Sequence, residues 1–212
     1  MDYDSPRMNL VHLALAFVVA TPACAMSKPV PPATTSSAAA SAPSAASTPS
    51  AGAAPTSVTD ASFDELLGKP APDFSAVAQD GTAVHLAALR VKWAVLYFYP
   101  KDETPGCTKE ACSFRDAWQA IAQTGAVLIG ISADNSESHR SFVEHYKLPF
   151  LLLSDPDGSI GRSYGVPFTG HHQRQTIVIG ADGTVRKVYR KVNVAEHAAQ
   201  ILDDLRSGQH PG

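Results

Sequence analysis

Two runs of consecutive apolar residues, Trp93 to Tyr99 and Ala126 to Ser132, each give way to a stretch with helical spacing. This alternation limits the possible folds more than any other feature of the chain. A run that is apolar at every position has no solvent face, so each strand is covered on both sides, and parallel strands joined through a helix cross over with one hand. After the first run, Ala111, Phe114, Ala117, Trp118 and Ile121 recur at helical spacing as far as Gly125, which can serve as a C-cap. After the second, Ser136 to Lys147 reads as a helix with Phe142, His145 and Tyr146 on one side. Phe150 to Leu153 predicts a further strand, and Thr176 to Ile179 and Val185 to Tyr189 flank Ala181-Asp182-Gly183 as a hairpin. A last helix is expected over Val194 to Leu205. Ahead of all these, Asp80-Gly81-Thr82 precedes the alternating Val84 and Leu86, the pattern of a short opening hairpin. The result is an α/β domain with a mixed central sheet and helices on both faces.

The rest of the chain organises around that domain. Ala, Ser, Pro and Thr dominate residues 27–59 and offer almost nothing large to bury, so residues 26–61 read as a disordered, partly extended tether. Arg7 followed by the apolar run Leu10 to Ala20 and by Ala23-Cys24-Ala25 reads as a signal peptide spanning residues 1–25, with translation starting at Met1 or Met8. The run is shorter than the roughly 20 residues of a spanning helix. Cys24 opens a second route, lipid anchoring, although Thr21-Pro22-Ala23-Cys24 lacks the Leu usual three residues before a lipidated Cys. Residues 62–212 remain for one domain, exported to the bacterial periplasm. The formal net charge of -3, with Lys and Arg spread along the domain, gives no footprint for nucleic acid.

Chemistry concentrates where the first strand ends, in Pro100-Lys101-Asp102-Glu103-Thr104-Pro105-Gly106-Cys107-Thr108-Lys109-Glu110-Ala111-Cys112. Ligands in open α/β sheets bind outside the carboxyl ends of strands. Cys107 falls in the first turn of the following helix, where free backbone N–H groups and the helix dipole favour a thiolate. An ordinary Cys is only about 3% thiolate at neutral pH, and such positions raise that fraction. Thr104 can turn its hydroxyl toward the sulfur or toward an oxygen bound beside it, Pro100 can shield the site, and Pro105-Gly106 fixes a tight approach. Cys112 lies five residues on. In an intact helix the two Cα atoms stand about 9 Å apart, beyond the roughly 7 Å reach of a disulfide, so bridging requires local unwinding.

Other readings of the pair stay open at this point. Two cysteines in an exported domain are often a structural disulfide, although a bridge over so short a loop stabilises little. A Cys-x-x-Cys reductase does not fit the Cys-x-x-x-x-Cys spacing. An exported redox sensor without peroxide turnover fits the same cysteines. A metal site lacks ligand spacing, and His171-His172 reads as a solvated loop pair.

The segment nonetheless resembles a known family. Pro-x-x-x-Thr-x-x-Cys after an apolar strand is similar to the peroxiredoxin active-site signature, and Pro-Gly-Cys-Thr-x-Glu-Ala-Cys-x-Phe-Arg-Asp resembles the bacterioferritin-comigratory or PrxQ-like branch. The resemblance implies a thioredoxin-like fold and reduction of hydrogen peroxide or organic hydroperoxides without a cofactor. It implies Cys107 as peroxidatic nucleophile, Cys112 as resolving thiol, Thr104 as activator and Pro100 as shield. It also places an active-site Arg just before a late strand, where Arg174 stands in His171-His172-Gln173-Arg174-Gln175-Thr176. The expected partners are a peroxide and a thioredoxin-like or other dithiol reductant. With both cysteines on one chain, a monomer is expected. Glu110 could orient neighbouring N–H groups or Arg side chains and is left outside the expected site.

Overall fold

The computed structural model describes residues 63–209 of the 212-residue chain. The expected leader and tether lie outside the described residues. A short antiparallel hairpin, β1 (Ser75–Val77) and β2 (Ala83–His85), opens the domain as the turn signal predicts. The main sheet has five strands. Its middle strand is β3 (Ala94–Phe98), buried at every position because sheet and helices cover both its faces. On one side β4 (Val127–Ser132) and β5 (Leu151–Ser154) follow in parallel. On the other, β6 (Gln175–Ile179) runs antiparallel to β3, and β7 (Val185–Tyr189) antiparallel to β6. The mixed sheet inferred from the apolar runs is therefore present, in the order β5-β4-β3-β6-β7.

Five α-helices and a 3-10 turn at Leu86–Leu89 complete the described residues, the α-helices being α1 (Phe63–Leu66), α2 (Pro105–Gln123), α3 (Ser136–Tyr146), α4 (Ser159–Ser163) and α5 (His197–Gln209). Strand alternation divides the core into two layers. Val95, Tyr97, Leu128, Leu152 and Val178 point toward α2, α3 and α5, meeting Phe114, Ile121, Phe142, Ile201 and Leu205. Leu96, Phe98, Ile129, Ile131, Leu153 and Ile177 point the opposite way, toward the hairpin, α1 and α4. Both faces carry helices, but the three long ones share a face. That follows from the two parallel crossovers, β3-α2-β4 and β4-α3-β5, which progress in the same direction across the sheet with the same hand.

Two elements differ from the sequence expectation. The five-residue α4 is too short to announce itself by apolar periodicity; the Asp155 carboxylate starts it by accepting the amides of Ile160 and Gly161. The last helix begins at His197 rather than Val194, because Asn193 closes a turn, its side chain accepting from Ala195 N–H and its carbonyl from Glu196 N–H.

Gly130 marks a tightly packed point on the long-helix face. A Cβ there would stand 2.6 Å from Leu152 Cδ2 and 2.7 Å from the Tyr97 ring and hydroxyl. Neither neighbour has room to retreat, since Tyr97 and Leu152 are fully buried. Overpacking of this kind costs about 1–3 kcal/mol, so Gly130→Ala is expected to lower the thermal midpoint by several degrees in a calorimetric scan.

Candidate active site

The chain leaves β3 through Tyr99 and Pro100 and re-enters regular structure at Pro105, the first residue of α2. Pro is suited to that position because its fixed φ matches the helix and its missing N–H would have no partner there. Thr104 is the N-cap, with extended backbone (φ -76°, ψ 147°), yet its side chain accepts no hydrogen bond from the helix. Its hydroxyl instead donates to Lys101 O at 2.9 Å. Two consequences follow. The first-turn amides of Gly106 and Cys107, which have no intrahelical acceptor, are left uncapped. Thr104 Oγ1, its proton already committed, meets anything bound beside it as an acceptor, not as the donor that the sequence alone allowed.

Cys107 stands in that first turn, 2% exposed and a free thiol. Arg174, immediately before β6, donates from Nη2 to Cys107 Sγ at 3.0 Å. The register of β3 against β6 brings it there: Phe98 pairs with Gln175 and Tyr97 with Thr176, so the residue preceding β6 lies beside the loop leaving β3. A guanidinium N–H aimed at sulfur stabilises negative charge on it. Gly106 keeps the approach open, since a Cβ there would touch Arg174 Nη2 at 3.4 Å.

The second arm of the guanidinium, Nη1, donates to Glu110 Oε2. Glu110 lies one helical turn after Cys107 and is 1% exposed. Burial pushes its carboxyl up from 4.5 to about 7, the Arg174 charge and hydrogen bond offsetting only part of that penalty. Burial also pulls the Arg174 guanidinium down, but Glu110 and Cys107 together hold it above its ordinary value. One cation thus spans a carboxylate and a sulfur, an arrangement that Lys could not reproduce because it lacks the fork.

Four of the five residues singled out from sequence gather at this junction: Pro100, Thr104, Cys107 and Arg174. Cys112 is buried on the same uninterrupted helix, and Cys107 and Cys112 are not bridged. Glu110, which the sequence reading allowed to orient an Arg but kept out of the site, meets Arg174 here; its burial is what nothing in a Thr-Lys-Glu-Ala string announces. Sequence reasoning misplaced His172. Expected to be solvated, His172 is fully buried, its ring between Phe98 and Phe168 and against Gly161, with Nε2 3.0 Å from Asp155 Oδ2. Burial raises the Asp155 carboxyl, but His172 and the amides of Gly161 and Ile160 outweigh that and hold it below the usual carboxylate range. Among the described residues, no group of three or more His, Cys, Asp or Glu side chains is placed to hold a metal ion.

Comparison with known proteins gives this geometry its class. Residues 67–188 match the AhpC/TSA family. Peroxiredoxin Bcp of Bacillus subtilis is 40% identical over 149 residues, covering 66% of this chain and 94% of its own. The crystal structure of peroxidoxin BcpB from Mycobacterium tuberculosis superposes with a TM-score of 0.62 at 36% identity, covering 67% of this chain and 97% of its own. The bacterioferritin comigratory protein of Xanthomonas campestris, described for its alkyl peroxide reduction activity, superposes with a TM-score of 0.59 at 33% identity, covering 63% and 90%. The fold and the site define a thiol-dependent peroxidase. The chain belongs to the AhpC/TSA family, and within it its relatives are the peroxiredoxins of the Bcp and Q kind.

Glu110 gives the site a pH signature. A carboxyl whose pKa rises from 4.5 unfolded to about 7 folded binds more protons in the native state between those values. Stability therefore falls as pH rises from about 4.5 through 7 and levels off above. Glu110→Gln removes this contribution, so a series of chemical denaturation curves across that range is expected to show a shallower fall for the variant than for the wild type.

Proposed function

We propose that Cys107 reduces hydrogen peroxide and organic hydroperoxides and that Cys112 resolves the product. The observation that carries the assignment is the Arg174 N–H on the free Cys107 sulfur, in a first helical turn whose amides are uncapped. The Cys107 thiolate attacks one peroxide oxygen, the S–O bond forming as the O–O bond breaks. The departing alkoxide or hydroxide takes a proton and leaves as alcohol or water, and Cys107 becomes a sulfenic acid. Charge develops on the leaving oxygen, where the first-turn amides and Arg174 are the available donors and Thr104 accepts the proton-bearing end of the substrate. Pro100, half-buried at the mouth of the loop, limits access of water.

In the second half-reaction the Cys112 thiolate attacks the sulfenic sulfur, forming a disulfide and releasing hydroxide, which is protonated to water. Because both cysteines lie on α2, its first turns must open for this step. A dithiol reductant then regenerates both thiols through a mixed disulfide, itself leaving as a disulfide. Both cysteines on one chain suit a monomer. The run Leu10 to Ala20 with Ala23-Cys24-Ala25 supports export to the periplasm, where the reductant would be a thioredoxin-like protein of that compartment.

Trp118 on α2 makes the cycle visible. On mixing the reduced full chain with one equivalent of hydrogen peroxide, stopped-flow fluorescence is expected to show fast oxidation that vanishes in Cys107→Ser. In Cys112→Ser the first phase is expected to persist and mass spectrometry to find a stalled sulfenic acid. Oxidation no faster than an ordinary thiol, with the disulfide still forming slowly, would assign the pair to redox sensing instead.

A further inference from the structure

The loop between β3 and α2 is held by a buried polar network that the peroxidase chemistry above does not use. Asp102 is 4% exposed, and its carboxylate accepts three hydrogen bonds: from Tyr99 Oη at 2.7 Å, from Ser138 Oγ at 2.7 Å and from His139 Nδ1 at 2.8 Å. Ser138 and His139 belong to the first turn of α3, so the contact ties the loop to a different helix. His139 is fully buried, and its Nε2 faces Leu153 O at 3.2 Å. Its two ring nitrogens thus lie against the Asp102 carboxylate and the Leu153 carbonyl, which ties Asp102 to the interior of the domain.

The same residue is fixed through its backbone. Asp102 N–H donates to Asp134 Oδ2 at 2.8 Å, and Asp134 is itself held by Ser132 Oγ at 2.8 Å. The carbonyl of that same peptide unit, Lys101 O, is the acceptor of the Thr104 hydroxyl. One peptide plane is therefore held at both ends, with α3 and the end of β4 on one side and Thr104 on the other. A Thr at an N-cap ordinarily rotates to accept an amide of the first turn. Here the fixed Lys101 carbonyl draws the hydroxyl away from that position and leaves the Cys107 amide uncapped.

We propose that Asp102, together with its buried hydrogen-bond partner His139, is a positioning residue for peroxide reduction. It acts through the Lys101–Asp102 peptide to hold Thr104 off the helix cap, so that the Thr104 oxygen and the first-turn amides are presented to the O–O bond. The inference rests on the peroxidase reading, and it assigns Asp102 no contact with substrate. Its signature is selectivity between reagents. Peroxide needs the acceptor and donors in place, whereas alkylation of the same sulfur by iodoacetamide needs only the nucleophile.

The test compares the full chain with Asp102→Asn and Ser138→Ala, each in the Cys112→Ser background, with circular dichroism to establish folding. Asp102→Asn is expected to slow reaction of Cys107 with hydrogen peroxide by about tenfold or more, the scale of effect that a misplacement near 1 Å produces, while the iodoacetamide rate stays unchanged. Ser138→Ala, which removes one donor and leaves the Tyr99 and His139 contacts, is expected to give a smaller loss in the same direction, and it decides the matter if Asp102→Asn does not fold. Equal slowing toward both reagents, or no slowing toward either, would overturn the proposal. A parent chain that reacts with peroxide no faster than an ordinary thiol would fail the peroxidase reading itself, before any variant is compared.

Discussion

Everything at the site depends on one guanidinium serving two partners that burial would otherwise make costly. Arg174 gives one nitrogen to the Cys107 sulfur and the other to Glu110, two groups almost wholly removed from water. An isolated buried carboxylate is expensive, and an isolated buried thiolate is too; a shared cation makes both tenable in one small volume. The arrangement requires α2 and the start of β6 to be held in fixed relation, and the β3–β6 pairing does that, since the loop bearing Cys107 leaves β3 beside the point where Arg174 enters β6.

The scaffold around this contact is layered. On the long-helix face Phe114 and Ile121 of α2 pack with Tyr97 and Phe142, and the opposite face supplies Phe98 and the His172–Asp155 pair under the segment leading to Arg174. Each face thus supports one partner of the Cys107–Arg174 contact. This explains why a histidine that looks like an ordinary loop residue is fully buried two positions before the arginine.

How much of this could be read from the chain depends on the range of the signal. Strands such as Ala94–Phe98 announce themselves because five consecutive buried residues leave a five-letter apolar word, and α2 because its apolar positions repeat over several turns. The five residues of α4 hold too few turns for a period to emerge. At the site, Pro100, Thr104, Cys107 and Cys112 sit in one contiguous segment and were legible there, whereas Arg174, distant in sequence, was reachable only through resemblance to a family. Asp102, His139 and His172, and the burial of Glu110, were not legible, because charged and polar letters look alike whether solvated or buried. Their burial is decided by partners such as Arg174 and Asp155, which only the fold brings near.

The continuity of α2 reaches beyond geometry. With Cys107 and Cys112 on one unbroken helix, a bridge between these two would have to give up backbone hydrogen bonds and the packing of its first turns. Reduction would restore them. In the proposed cycle the helix would then act as a spring compressed by each oxidation and released by each encounter with a dithiol, lifting the reduction potential of the pair above that of a disulfide joining positions already within reach. A comparatively mild reductant would then suffice to close that cycle, and the secondary structure of the chain itself would help set its direction.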